Sequence, residues 1–254
     1  MKLTLDLTKS IYENASEYYE KAKELKKKKE GLEKAIEETE KEIAKAEKEA
    51  KEEEKKVKIK REKKWFEKFH HFYTSSERLV IGGGNAQQND IIYKKYIEEN
   101  DLFFHADIQG GAAVVLKDGL NASEQELNET AQFTASFSNA WKNANATVDV
   151  YCVKKDQLSK HAQGGFIGRG AFAITGERQW FKSTKLGLKI GIKEGTLLLL
   201  PEVSSIKLEQ EVLIFPAKSG KTKGELVKSL SKRFNTHPDD VMNILPNGKS
   251  KLNL

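Results

Sequence analysis

Four stretches of this chain hold side chains whose types and spacing can do chemistry. Residues 81–90, IGGGNAQQND, set Gly82, Gly83 and Gly84 between an apolar run and a helical pattern. Glycines at such a junction can offer backbone N–H groups to a phosphate, or can simply serve a tight strand-to-helix turn. Neither GxxxxGK(S/T) nor an in-register GxGxxG is present, which argues against a nucleotide cofactor. The amides Asn85, Gln87, Gln88 and Asn89 that follow either cap the helix or contact RNA, and both readings stay open. In FFHADIQGG, His105 and Asp107 sit two apart in a strand pattern and so share a face, ahead of Gly110 and Gly111. No HxH, HExxH or carboxylate cluster accompanies them, which favours a structural pair or a polar edge of a binding surface over metal or acid–base chemistry. Residues 159–172 interleave glycines with Lys160, His161 and Arg169, a composition that suits a phosphate backbone or a plain surface loop. Residues 177–185 place Arg178, Lys182 and Lys185 beside Trp180 and Phe181. Cations interleaved with aromatics can stack bases, while strand alternation sends some of them into the core. With Lys117, these cations, His105, Asp107 and the 85–89 amides form the expected RNA-contact set.

The chain lacks GxSxG and paired catalytic carboxylates. Its one cysteine, Cys152, lies in an apolar strand pattern, where an inert buried thiol is expected. A binding protein without metal or cofactor fits these residues better than an enzyme. One cysteine also excludes a disulfide framework within the chain and points to a reduced, cytoplasmic setting. No apolar run of spanning length or secretory leader is recognisable, so no membrane partner is expected.

The elements that must position these residues divide the chain. Of 254 residues, 32% are charged and 38% hydrophobic, with a net charge of +6. That mixture reads as one highly charged segment beside an ordinary globular domain. Residues 10 to about 60 are rich in Glu, Lys and Ala, with Gly31 the one helix-weakening residue. A heptad seam runs unbroken through it, including Ile11, Tyr18, Leu25, Leu32, Ile36, Ile43 and Val57. The register predicts one helix of about 45 residues rather than a hairpin turning at Lys26, Lys27, Lys28 and Lys29, which form a basic patch. The seam is poor in large apolar residues and needs a partner helix, either a second copy or a segment of another chain. An aromatic cluster at 65–73 opens the second unit. From there, strands are expected at 78–84, 101–108, 112–117, 147–153 and 210–217, with several short strands between 171 and 201. Gly110–Gly111 reads as a tight hairpin link. Helices are expected at 85–99, from Ser123 to about Lys142 with Glu126 completing a capping box, and at 224–234, followed by a short helix after Pro238. The tail after Leu245 reads as frayed. The fold class is α+β: a helical segment over 1–64 and a mixed α/β domain over 65–254.

Three runs, DLTKSIYENASEYYEKAKELKKKKEG, WFEKFHHFYTSSERLVIGGGNAQQNDIIYKKYI and DLFFHADIQGGAAVVLK, together resemble the C-terminal half of the NFACT family, the ribosome-associated quality-control factors. The resemblance covers the coiled-coil segment and the family's R domain. It implies an RNA-binding module that contacts tRNA and the large ribosomal subunit, its rRNA and stalk base, during rescue of stalled nascent chains. In the family the glycine turn reads GGRDAQQNE and the later segment HADLHGA. Here Gly84 stands for the arginine, Asn85 for the aspartate, Asp90 for the glutamate and Gln109 for a histidine. The resemblance also implies an alternative, a scaffold subunit whose coiled coil pairs with a separately encoded N-terminal half or with itself, RNA contact being incidental.

Overall fold

The computed structural model describes residues 4–55, 64–162 and 165–253, which fall into two units, within Met1–Glu62 and Lys63–Leu254. The first unit is one helix, α1 (Ile11–Lys55), continuous through the lysine patch and Gly31. Strong helix formers and the unbroken register account for the absence of a turn. Residues before it fold back on its first turns. Buried Asn14 accepts from the Asp6 N–H at 2.8 Å and donates to the Asp6 carbonyl at 3.0 Å, and the Tyr18 hydroxyl donates to the Thr4 carbonyl at 2.7 Å. The seam side chains Ile11, Leu25, Leu32, Ile36 and Ile43 are exposed. Val57 lies outside the described residues.

The second unit is built on two antiparallel sheets. Strands β1 (His70–Tyr73), β2 (Leu79–Gly82), β3 (Leu102–Ala106), β4 (Val114–Leu116) and β5 (Thr147–Lys154) join β10 (Gln179–Lys185) in the order β1-β2-β4-β3-β5-β10, with β10 at the edge. Between β5 and β10 lie two short ladders, β6 (Leu158–Ser159) with β9 (Ala173–Ile174), and β7 (His161–Ala162) with β8 (Gly165–Phe166). The second sheet runs β12-β11-β13-β14, from β11 (Leu188–Lys193), β12 (Thr196–Pro201), β13 (Glu209–Lys221) and β14 (Ser250–Asn253). The helices are α2 (Ala86–Ile91), which continues into a π turn over Ile92–Tyr96, α3 (Glu124–Ser136), α4 (Asn139–Lys142), α5 (Lys223–Phe234) and α6 (Pro238–Ile244).

Strand alternation divides the six-stranded sheet into two apolar faces. Val80, Phe104, Val114 and Cys152 pack under α3 with Phe133, in a core that extends through Leu188, Ile190, Val212 and Ile214 to Leu226 and Leu230 of α5. Ile81, Phe103, Val115 and Val153 pack on the other side with Phe66, Phe69 and Ile92. Phe66, Phe69 and Phe72 of the aromatic cluster at 65–73 are thus core, on both faces of the sheet, while Trp65 and Tyr73 are exposed and Trp65 stacks on Tyr96 at 4.5 Å.

Three sequence expectations are corrected. The helix from Ser123 stops at Ser136, because Ser138 starts a new one by accepting the Ala140 N–H at 3.2 Å. Strands β3 and β4 are antiparallel, but residues 107–113 connect them, a wider link than a two-residue turn. The tail is not frayed: β14 pairs with β13, and the Trp141 indole N–H donates to the Ser250 hydroxyl at 3.0 Å, fully buried. The Ser123 capping box is present, and Glu126 does more than cap. Its carboxylate accepts from Thr74 at 2.7 Å and from Arg78 at 2.8 Å. Burial alone would raise its pKa. The Ser123 N–H, the Thr74 hydroxyl and the Arg78 guanidinium outweigh burial and bring the carboxyl down to about 2.

Candidate nucleic-acid interface

Where β2 hands over to α2, the glycine turn bends because nothing larger fits. A Cβ at Gly83 would fall 2.1 Å from the Asn89 side-chain oxygen. Asn85 is the N-cap, accepting the Gln88 N–H at 2.9 Å. Gln88 accepts the Gly84 N–H at 2.8 Å and donates to the Lys68 carbonyl at 3.0 Å. Buried Asn89 accepts the Ala113 N–H at 3.1 Å. Three of the four amides therefore hold the turn together, and Gln87 is exposed to solvent.

The turn forms one wall of a cleft of about 460 Å³. Gly110, at φ +82°, and Gly111 form a second wall with His105, and Asn139 pins that loop by donating to the Gln109 carbonyl at 2.9 Å. Ser138 and Lys142 form a third, and Arg169–Ala171 a fourth. Gly170 has φ +78°, and a Cβ there would meet that of Ala86 at 2.6 Å, so this loop lies directly on α2. Pro246 and Asn247 close the cleft from the far end of the chain, and His70 faces into it. No carboxylate lines it among the described residues. Burial first, then the nearby Lys223 ammonium, lowers the His70 pKa to about 4, so the ring is neutral. Its face lies on Phe137 at 4.3 Å. Burial also lowers the His105 pKa.

From His105 a row of rings crosses three strands. His105 pairs with Tyr151, and Tyr151 with Trp180, so strand register sets all three on one face. Their centroids are 6.0 and 5.3 Å apart. Trp180, on the edge strand, is 38% exposed. Arg178 lies over Tyr151 at 4.6 Å, and Lys182 over Trp180 at 3.9 Å. Lys182 also pairs with Asp149 at 2.8 Å. Both cations are exposed.

The remaining expected contacts are dispersed. Lys117 is held at the other end of β4 by Asp101 at 2.6 Å, Glu98 at 2.7 Å and the Tyr96 carbonyl at 2.9 Å. Lys160 binds Asp90 and the Ala171 carbonyl and sits 4.2 Å over Phe172, so its charge is already partnered. Asp90 also accepts the Gly170 N–H at 3.1 Å. His161 lies on β7 with an exposed side chain, and Asp107 is exposed just past β3. Gly82 packs on Val114 and Phe133, not in the cleft. The patch Lys26 to Lys29 belongs to the other unit, where Lys29 faces Glu33 at 3.7 Å. The residues 163–164 fall outside those described. Sequence reasoning missed His70, Asn139, Lys142 and Asn247, which no motif links and which meet only through tertiary packing. Cys152 is buried, and burial pushes its thiol up to about 12. Among the described residues no three His, Cys, Asp or Glu side chains converge as a metal site. No helix among them is long and apolar enough to cross a membrane.

Residues 68–176 match the family described as the NFACT protein RNA binding domain. Over 200 residues the chain is 41% identical to the archaeal Rqc2 homolog aRqcH of Methanocaldococcus jannaschii, a match covering 75% of this chain and 29% of that protein. It is 36% identical over 135 residues to the ribosome quality control complex subunit NEMF homolog of Drosophila melanogaster, covering 52% of this chain and 14% of that one. The chain thus spans well under a third of the length of either relative. Among solved structures, the C-terminal part of the fibronectin/fibrinogen-binding protein of Streptococcus suis matches at 25% identity with a TM-score of 0.40, over 50% of this chain and 48% of that one.

Proposed function

Because the chain belongs to the NFACT family, we propose that it is an RNA-binding module of ribosome-associated quality control, contacting tRNA and the large ribosomal subunit during rescue of stalled nascent chains. The observation that carries this reading is the His105–Tyr151–Trp180 row with Arg178 and Lys182 laid over its rings. Trp180, exposed on the edge strand, can stack an unpaired base with half-buried His105 and buried Tyr151 behind it, and the exposed cations can follow the phosphates. The reading is binding without turnover: burial pushes the Cys152 thiol up to about 12, away from the thiolate a nucleophile needs. The test is titration of labelled tRNA and of a single-stranded RNA at rising salt. Binding should weaken steadily as salt rises, and Trp180→Ala should cost about 10-fold at fixed salt. Affinity that is absent at low salt, or indifferent to salt, overturns the reading.

A second reading, the scaffold, rests on the exposed seam of α1, where Ile11, Leu25, Leu32, Ile36 and Ile43 have apolar side chains in solvent. It requires a concentration-dependent rise in mass by sedimentation, alone or with an NFACT N-terminal half. That rise should be lost on replacing Leu32 and Ile36 by Glu.

A further inference from the structure

We propose that the cleft between the glycine turn and residues 246–247 is a phosphate-binding pocket that takes the sugar and phosphate of one unpaired nucleotide. The inference rests on the RNA-binding reading and adds to it a site distinct from the aromatic row.

Charge is the first argument. Among the described residues, the cleft lining holds Lys142 and Arg169 and no carboxylate. Neither cation has an ion-pair partner among the described residues, whereas Lys117, Lys155, Lys160 and Lys182 each meet a carboxylate. A third ammonium, Lys223, stands behind the wall. It is half-buried and donates only to neutral oxygens, the Leu245 carbonyl at 2.8 Å and the Asn247 amide at 3.3 Å. Lys142 and Arg169 reach the cleft from exposed positions, and two cations converging on a concave wall whose described lining has no counter-charge favour an anion there. Asp90, next to the glycine turn in sequence, holds Lys160 and the Gly170 N–H, and Asp107 is solvent-exposed outside the lining.

Hydrogen bonding is the second argument. His70 faces the cleft, and its ring nitrogens have no hydrogen-bond partner among the described residues. A neutral imidazole offers one donor and one acceptor, suited to a phosphate oxygen or a ribose hydroxyl. Asn139 and Asn247 add amides at the rim, each anchored through one atom. Size is the third. About 460 Å³ falls within the range of small-ligand sites and is too small for a duplex.

The experiment uses the full chain and probes the pocket with adenosine monophosphate, adenosine and inorganic phosphate, read by calorimetry and by the His70 imidazole resonances. Adenosine monophosphate should bind and shift His70, phosphate should compete with it, and adenosine should bind at least about 10-fold more weakly, since it lacks the charge-assisted contacts. The double variant Lys142→Gln with Arg169→Gln, at two exposed positions, should lose about 10-fold or more in affinity for the monophosphate. The equally charge-depleted Lys228→Gln with Lys232→Gln should not. Equal response to nucleoside and monophosphate, no response to either, or a cleft variant that binds like the wild type overturns the pocket. If RNA binds the wild type while the monophosphate does not, the pocket fails and the RNA reading stands. If RNA does not bind but the monophosphate does, the RNA reading fails and the pocket stands as a free-nucleotide site.

Discussion

His70 shows how one half-buried side chain ties stability to pH. It carries fewer protons folded than unfolded, because its pKa falls from 6.5 to about 4. Its contribution is therefore complete above about pH 6.5 and drains away as pH falls toward 4, worth up to about 3 kcal/mol at the acid end. The urea midpoint should drop over that interval, and His70→Gln should flatten the drop. None of this was legible in the sequence, where His70 reads only as part of an aromatic cluster. By contrast, the burial of Cys152 and the capping role of Glu126 were legible, because an apolar strand and a Ser-x-x-Glu spacing state them locally. The four amides were half legible: the spacing showed that they sit at a helix start, and only the partners of Gln88 and Asn89 show that they brace the turn.

Among the elements, loop 169–171 bears most directly on the cleft. Gly170 needs both a positive φ and room against Ala86. Gly170→Ala should cost about 1–3 kcal/mol in urea unfolding, from backbone strain and displacement of the loop. It should also weaken nucleotide binding, since Arg169 moves with the loop. The heptad register gave α1 away along its whole length, because a seam in constant phase leaves a turn no place to sit. Patterns were least informative where partners lie far apart in sequence. The pairing of β14 with β13 and the Trp141–Ser250 hydrogen bond both join residues far apart in sequence, contacts no local pattern encodes. The 107–113 link likewise hid behind Gly110–Gly111, because the strand ends are set by pairing across the sheet.

At the scale of the molecule, the two units answer to different physics. The domain after residue 63 has a continuous core between two sheets, while α1 exposes its apolar seam and its charges alike. A fragment of residues 64–254 should therefore melt within about 2 °C of the full chain. A peptide of residues 4–55 alone should be only partly helical by circular dichroism, because a single long helix gains little without a partner. A fragment that unfolds would show that the helix supports the domain.

The cleft draws one wall from residue 70 and another from residues 246–247. A ribosome extrudes these in order, so the sheet can assemble long before the pocket does. A chain released early, short of Asn247, would keep most of its strands and its aromatic row yet lack the wall that Lys223 backs. Such a product would be blind to a nucleotide however far its sheet had formed.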